Sequence, residues 1–222
     1  MTKTAYLLLI CCVTTFSSCF EIIEQIFLKA DGSGTFQFVL NMSKSKTKLN
    51  SISKMKTING HTVPSKWEIE NKMKDIEKAM SKTVGVSGVK SSIDFDNYIA
   101  TINCNFVKLS QLNAALKNVS KIDGGDVAGI DKVYKYDAAT NTFERQNKFR
   151  LKNYYKKVSN ADKEVFANAG YTSIFKFENT IVEASNKDAN ISPSKKAIML
   201  KQTALDVITE KKSIENKIKL TK

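Results

Sequence analysis

The sequence predicts an α+β domain, a curved and mainly antiparallel sheet with helices packed on one face. Three observations predict it. Segments with a period of two recur, as where Phe36, Phe38, Leu40 and Met42 alternate with Thr35, Gln37, Val39 and Asn41. Fewer segments carry a helical period, and the clearest is Ser65–Lys82, where Ile69, Met73, Ile76 and Met80 share one face. Short turn signals separate these elements, with no long linker and no repeat of clear period. Helices interrupting antiparallel hairpins bury their apolar stripes best by packing on one face of a single sheet.

The elements follow in order. The first hairpin spans residues 21–43, and Asp31-Gly32 supplies the positive φ angles of a tight turn. The spacing of its acids lacks the alternation of a calcium loop, so "DGSG" reads as a turn. "SKSKTKLNSISKMK", Ser43–Lys56, is acid-free and leaves open a weak helix or a mobile excursion. Ser65 and Glu68 then form a capping box at the start of the clearest helix, and Trp67 is expected to anchor its first turn in the core. Gly85 and Gly88 end that helix and lead into a second hairpin, "SSIDFDNYIATINCNFV". Cys104 falls on its apolar face with Ile102 and Phe106, which predicts a small buried side chain and no nucleophile. Leu109, Leu112, Leu116 and Val119 stripe another helix, and "DGGDVAG" over 123–129 matches no phosphate or cation motif and reads as a loop. Strands are expected at 132–136 and 142–149, a helix at 161–168, and an alternating strand from Tyr171 to Phe177. Two short strands around Pro193 and a last strand carrying Ile218 and Leu220 complete the chain.

The first 18 residues have one charge, Lys3, and the apolar run "AYLLLICCV". That run is too short to cross a bilayer, which takes about 20 apolar residues. A basic start, a short apolar core and the small residues Ser17 and Ser18 make a secretory leader. Cys19 follows directly, an order that looks like a bacterial lipobox, with Phe16 where leucine is commoner. On this reading residues 1–18 are the signal peptide, Cys19 carries lipid, and 19–222 form one domain. The alternative is an ordinary leader with Cys19 incidental. Cys104 is then the one cysteine left beyond Cys19, so no intramolecular disulfide is expected within the domain. His61, the sole histidine, has no cysteine or histidine partner at a metal-binding spacing. No metal, no cofactor and no triad are therefore expected.

The net charge is +13, and +12 once Lys3 leaves. Basic domains attract nucleic acid, anionic lipid and acidic polymers. Only Arg145 and Arg150 are arginine, however, and bidentate phosphate recognition favours arginine over lysine. Nucleic acid is an unlikely partner for an exported chain, which leaves anionic headgroups, envelope glycans or a simply solvated lysine surface. The densest basic stretch is "RQNKFRLKNYYKK". Its Arg145, Lys148, Arg150, Lys152, Tyr154, Tyr155, Lys156 and Lys157 are the candidate ligand contacts, or else lysine stems covering apolar surface.

"DGSGTFQFVLNMS" and the closing pattern "FKFENTIVEASNKDANIS…AIMLKQTALDVI…IENKIKL" resemble a group of poorly characterised lipoproteins of Gram-negative bacteria. "PSKKA" stands where those proteins usually have an Asp-Gly turn. The early strand pair is also similar to a mycobacterial lipoprotein domain associated with phosphoinositide-mannoside binding. The resemblance implies an envelope location and no established activity. Phe20 after the lipid cysteine, in place of an inner-membrane-retaining aspartate, points to the outer membrane. The expected function is a lipid-anchored, non-catalytic envelope protein that binds a lipid, glycan or protein partner. The alternatives are a structural or assembly component of an envelope complex, or an enzyme using carboxylates alone, for which Asp94, Asp96, Asp123 and Asp126 are the available acids near turns.

Overall fold

A computed structural model describes residues 20–122, 129–147 and 151–222. The leader with Cys19, most of the 123–129 loop, and Lys148 and Arg150 lie outside the described residues. Among the described residues the buried ones run from Glu24 to Leu220, and they form a core within residues 20–222.

The architecture is α+β, as the sequence predicts. The first hairpin pairs β1 (Glu21–Leu28) with β2 (Gly34–Asn41). In its turn Gly32 takes φ +83°, while Asp31 stays out of the left-handed region and uses its carboxylate to accept from Ser33 N at 2.8 Å and Ser33 Oγ at 2.7 Å. A short 3-10 turn then enters α1 (Lys46–Ile52), so the acid-free segment is in part helical. A two-stranded ribbon, β3 (Thr57–Ile58) with β4 (His61–Thr62), leads to α2 (Lys66–Ser81). Its capping box is formed: Glu68 N donates to Ser65 Oγ at 3.2 Å, and Ser65 N donates to Glu68 Oε2 at 2.7 Å. Trp67 departs from expectation, being 70% exposed. It sits opposite the Ile76 and Met80 stripe in the first helical turn, where no described element covers it.

The second hairpin is β5 (Val86–Asp94) with β6 (Ile99–Phe106), and Gly88 marks a bulge in β5. Helix α3 (Leu109–Ser120) packs beside α2 and buries Leu109 and Leu112. The strands β7 (Tyr134–Asp137) and β8 (Thr142–Arg145) come next, followed by the short helices α4 (Leu151–Lys157) and α5 (Asn160–Ala167). The chain ends with β9 (Gly170–Phe177), β10 (Ile181–Ala184), β11 (Asn190–Ile191), β12 (Ala197–Thr203), α6 (Ala204–Ile208) and β13 (Asn216–Leu220). Lys195 takes φ +53° in the turn before β12, the left-handed position that glycine fills in an Asp-Gly turn.

Seven strands form the main sheet, in the order β11-β12-β9-β1-β2-β6-β5. All its pairs are antiparallel except β1 with β9, which runs Glu21 beside Gly170 to Leu28 beside Phe177. The structure adds a second sheet, ordered β10-β13-β8-β7. It packs under one half of the main sheet while α2 and α3 cover the other half. Phe143 of the small sheet meets Phe175 and Phe177 of the large one, with ring centroids 5.0 and 5.4 Å apart. Asn113 ties α3 to the small sheet, donating to Tyr134 O at 2.7 Å and accepting from Tyr134 N at 3.1 Å. That pair satisfies one donor and one acceptor of β7's free edge.

Candidate functional site

Three short helices, α4, α5 and α6, gather where β1 and β9 begin and β12 ends. Two backbone bonds draw them together: Gly170 N donates to Phe20 O at 2.8 Å, and Ala204 N donates to Ala169 O at 2.7 Å. Helices of five to eight residues cannot fill the space over three strand ends. A cleft of about 230 Å³ remains, walled by Phe20, Leu151, Tyr155, Phe166, Tyr171 and Val207 among others. Its aromatic walls meet edge to face: Phe166 lies 6.0 Å from Phe20 and 5.9 Å from Tyr155, centroid to centroid. The lining is almost wholly apolar. The volume falls below the roughly 300–1,000 Å³ of pockets for drug-sized ligands. A single acyl chain is the kind of occupant that shape and chemistry suit.

Lysines lie on the helices that wall the cleft. Lys163 Nζ stands 5.6 Å from the Tyr155 ring centroid, and Lys152 Nζ lies 3.7 Å from Glu210 Oε2. Lys152, Tyr154, Lys156 and Lys157 are exposed on α4, and Tyr154 also borders the cleft. These four lie with Tyr155 on one short helix. Arg145 is separated from them: it is 3% exposed and points into the core, where it is closed to a surface ligand. The reason is the small sheet, which carries Arg145 inward on the face that holds Phe143.

Beneath the cleft lies a polar cluster built on Glu24. Arg145 donates to both its oxygens, Nε to Oε1 at 2.8 Å and Nη2 to Oε2 at 3.1 Å. Tyr171 Oη donates to Oε1 at 2.6 Å, and Tyr134 Oη to Oε2 at 3.1 Å. Arg145 Nη1 also donates to Gln146 O, and the guanidinium sits 5.6 Å from the Tyr134 ring centroid. Burial opposes the charge on Arg145, but Glu24, Tyr171 and Tyr134 around it together outweigh burial and raise its pKa. Burial, reinforced by Glu24, pushes both tyrosines well above the ordinary phenol range. The cluster therefore holds a paired charge and two neutral phenols, and it joins the two sheets. Tyr171 belongs to both features, its ring lining the cleft and its hydroxyl anchored below. Sequence reasoning missed Glu24, Tyr134 and Tyr171 as a group. The available signal was Glu24 itself, a carboxylate on the face shared by Ile22, Ile26 and Leu28.

Burial pushes the Cys104 thiol up to about 11. Asp94 caps its own turn, accepting from Asn97 Nδ2 at 2.8 Å and from the N–H groups of Asp96 and Asn97 at 2.9 Å, and the Asn97 bonds above all hold its pKa low. Among the described residues no group of three histidine, cysteine or acidic side chains is placed to hold a metal. A larger hollow of about 530 Å³ on the outer face of the small sheet is lined by charges of both signs that answer one another, as Lys217 Nζ does Glu144 Oε1 at 3.7 Å. No described helix is long and apolar enough to cross a membrane.

No family model matches the sequence, and no curated protein matches it. A solved structure is distantly similar. It is the NMR structure of the folded domain of the Mycobacterium tuberculosis LppM protein, with a TM-score of 0.44 and 13% identity over 91% of this chain and 88% of that one.

Proposed function

We propose that this chain is a lipid-anchored, non-catalytic protein of the cell envelope that holds one acyl chain of an amphiphile in the cleft between α4, α5 and α6. The cleft carries the reading. Its walls are apolar and its volume suits one hydrocarbon chain. Lysines on its walling helices match an anionic headgroup. Phe20, the residue after Cys19, forms part of the wall, so a lipid on Cys19 would emerge at the cleft itself. The Glu24 cluster fixes the floor, which keeps the cavity preformed and lowers the ordering cost of binding.

The test is native mass spectrometry of residues 20–222 purified gently from a bacterial host, with solvent extraction of bound material. The expected result is a stoichiometric amphiphile adduct that Phe166→Trp, which fills the cleft, abolishes. A clean mass without adduct, unchanged after incubation with fatty acid or lysophospholipid, would overturn the reading.

A further inference from the structure

The open end of the main sheet brings together features that are far apart in sequence. β1 begins there at Glu21, and register carries the same level across the sheet to Asn41, Ile99 and Asp94. Helix α1 leaves β2 at this level and is held to the β5–β6 turn, where Tyr98 Oη donates to Asn50 Oδ1 at 2.7 Å. The start of α2 is held there too, with Lys66 Nζ 5.0 Å from the Phe95 ring centroid. Both acid-free basic stretches therefore reach one end of the molecule, one through α1 and the other through α4. β1 and β5 are three strands apart, about 15 Å at the usual strand spacing. Exposed lysines run along this end: Lys46, Lys48 and Lys54 on one side, Lys152 and Lys156 on the other.

Large side chains stand out among these lysines. Trp67 is 70% exposed and Tyr154 56%, and among the described residues no other aromatic is more than half exposed. Met55, after α1, is 51% exposed. Tryptophan and tyrosine with lysine are the residue types that settle at the headgroup level of a bilayer. Phe20 sits at this end as well, one residue from Cys19, and β1 starts at the next position. A lipid at Cys19 would leave no slack between bilayer and sheet.

We propose that this end is a membrane-docking face for an anionic bilayer, with Trp67 and Tyr154 at headgroup depth and the lysines of α1 and α4 on the lipid phosphates. A basic patch adds an electrostatic attraction to anionic lipid on top of whatever a lipid anchor supplies. The face also turns the cleft mouth towards the leaflet from which an acyl chain would come. That last point rests on the cleft reading; the docking itself does not.

Trp67 is the sole tryptophan, so it reports directly. Residues 20–222, with no lipid, are mixed with vesicles of phosphatidylglycerol and phosphatidylcholine, and Trp67 emission is followed. The expected result is a blue shift, quenching by bromine-labelled acyl chains, and loss of both in high salt. Vesicles of phosphatidylcholine alone should give neither. Each lysine removed should lower partitioning roughly fivefold, so Lys46→Gln with Lys48→Gln, and separately Lys152→Gln with Lys156→Gln, should each lower it about 25-fold. Vesicle binding that leaves Trp67 emission unmoved would overturn the proposal, because another face is then in contact. So would no binding, or an equal shift with short duplex DNA, which would make the face a general polyanion site. An adduct in the mass spectrum without a Trp67 shift would leave the cleft reading standing and remove this one.

Discussion

The two ends of the main sheet are built on opposite plans. At the Leu28 end, backbone meets backbone. Lys29 N and Ser33 O close the first turn at 2.8 Å, Glu178 N reaches Leu28 O at 3.0 Å, and Val107 N reaches Gly85 O at 2.9 Å. Glu178 folds back so that Ala30 N donates to its Oε2 at 2.8 Å. Gly34 sits so close to its neighbours that a Cβ there would lie 2.0 Å from Phe27 O. At the Glu21 end, two backbone bonds, at Gly170 and Ala204, tie in short helices that otherwise meet through side chains, and a cleft stays open among them. A sheet end closed by turns spends its polar groups on itself. An end closed by brief helices leaves apolar walls and lysines facing outward, and that is where binding is expected.

The largest effect should come from the cluster that supports the open end. Arg145→Met leaves the Glu24 carboxylate buried without its partner, which costs about 3–5 kcal/mol of stability. Urea unfolding followed by circular dichroism should show the unfolding free energy fall by that amount, with a matching drop in midpoint. Glu24→Leu in the same chain should recover most of the loss, because the pair is then replaced by apolar side chains of similar volume. If the single and double variants unfold alike, the pair is not what joins the two sheets.

A smaller effect is expected at the closed end. Gly34→Ala drives a Cβ against Phe27 O and to within 2.8 Å of Phe106 Cζ. The carbonyl is held in the β1–β2 ladder and cannot swing away, so overpacking should cost about 1–3 kcal/mol. The same unfolding assay checks it. The comparison between the ends sharpens if Gly34→Ala leaves acyl-chain capture unchanged, since the cleft lies a full strand length away.

How far these plans show in the sequence follows from the range of the forces involved. The hairpins, the capping box and the Asp31 turn are local, and their residues lie within a few positions of one another. Cys104 was legible for the same reason, since alternation with Ile102 and Phe106 assigns it inward. The parallel pairing of β1 with β9 was not, because the partners are separated by more than a hundred residues and each reads simply as a strand. Nor was the small sheet, whose strands β7, β8, β10 and β13 alternate like any others. Arg145 shows the consequence. In the sequence it opens a basic, aromatic stretch, and only the small sheet turns it towards Glu24, 121 positions away. Trp67 fails in the other direction. Its size suggests a core, but the helix turn it occupies has no layer above it. The cleft itself was invisible, because it is a gap left by three helices that sequence treats separately.

Cys104 lies between the two ends and gives the smallest effect at neutral pH, where its thiol is protonated whether the chain is folded or not. Burial raises the folded pKa from 9.0 to about 11. Between those values the unfolded chain has released the proton and the folded chain keeps it. Stability therefore declines as pH rises through 9, and the decline stops near 11. Against a small thiol reagent at pH 8 the folded chain presents about a hundredfold less thiolate than an ordinary cysteine, and its sulfur is shielded as well. Labelling should then track opening of the sheet around β6. Arg145→Met should speed it, because it loosens the joint between the sheets. Tyr154→Ser, on the exposed rim of the cleft, should leave it unchanged. If Tyr154→Ser speeds labelling as much as Arg145→Met, the open end is coupled to the core and the two ends are not independent.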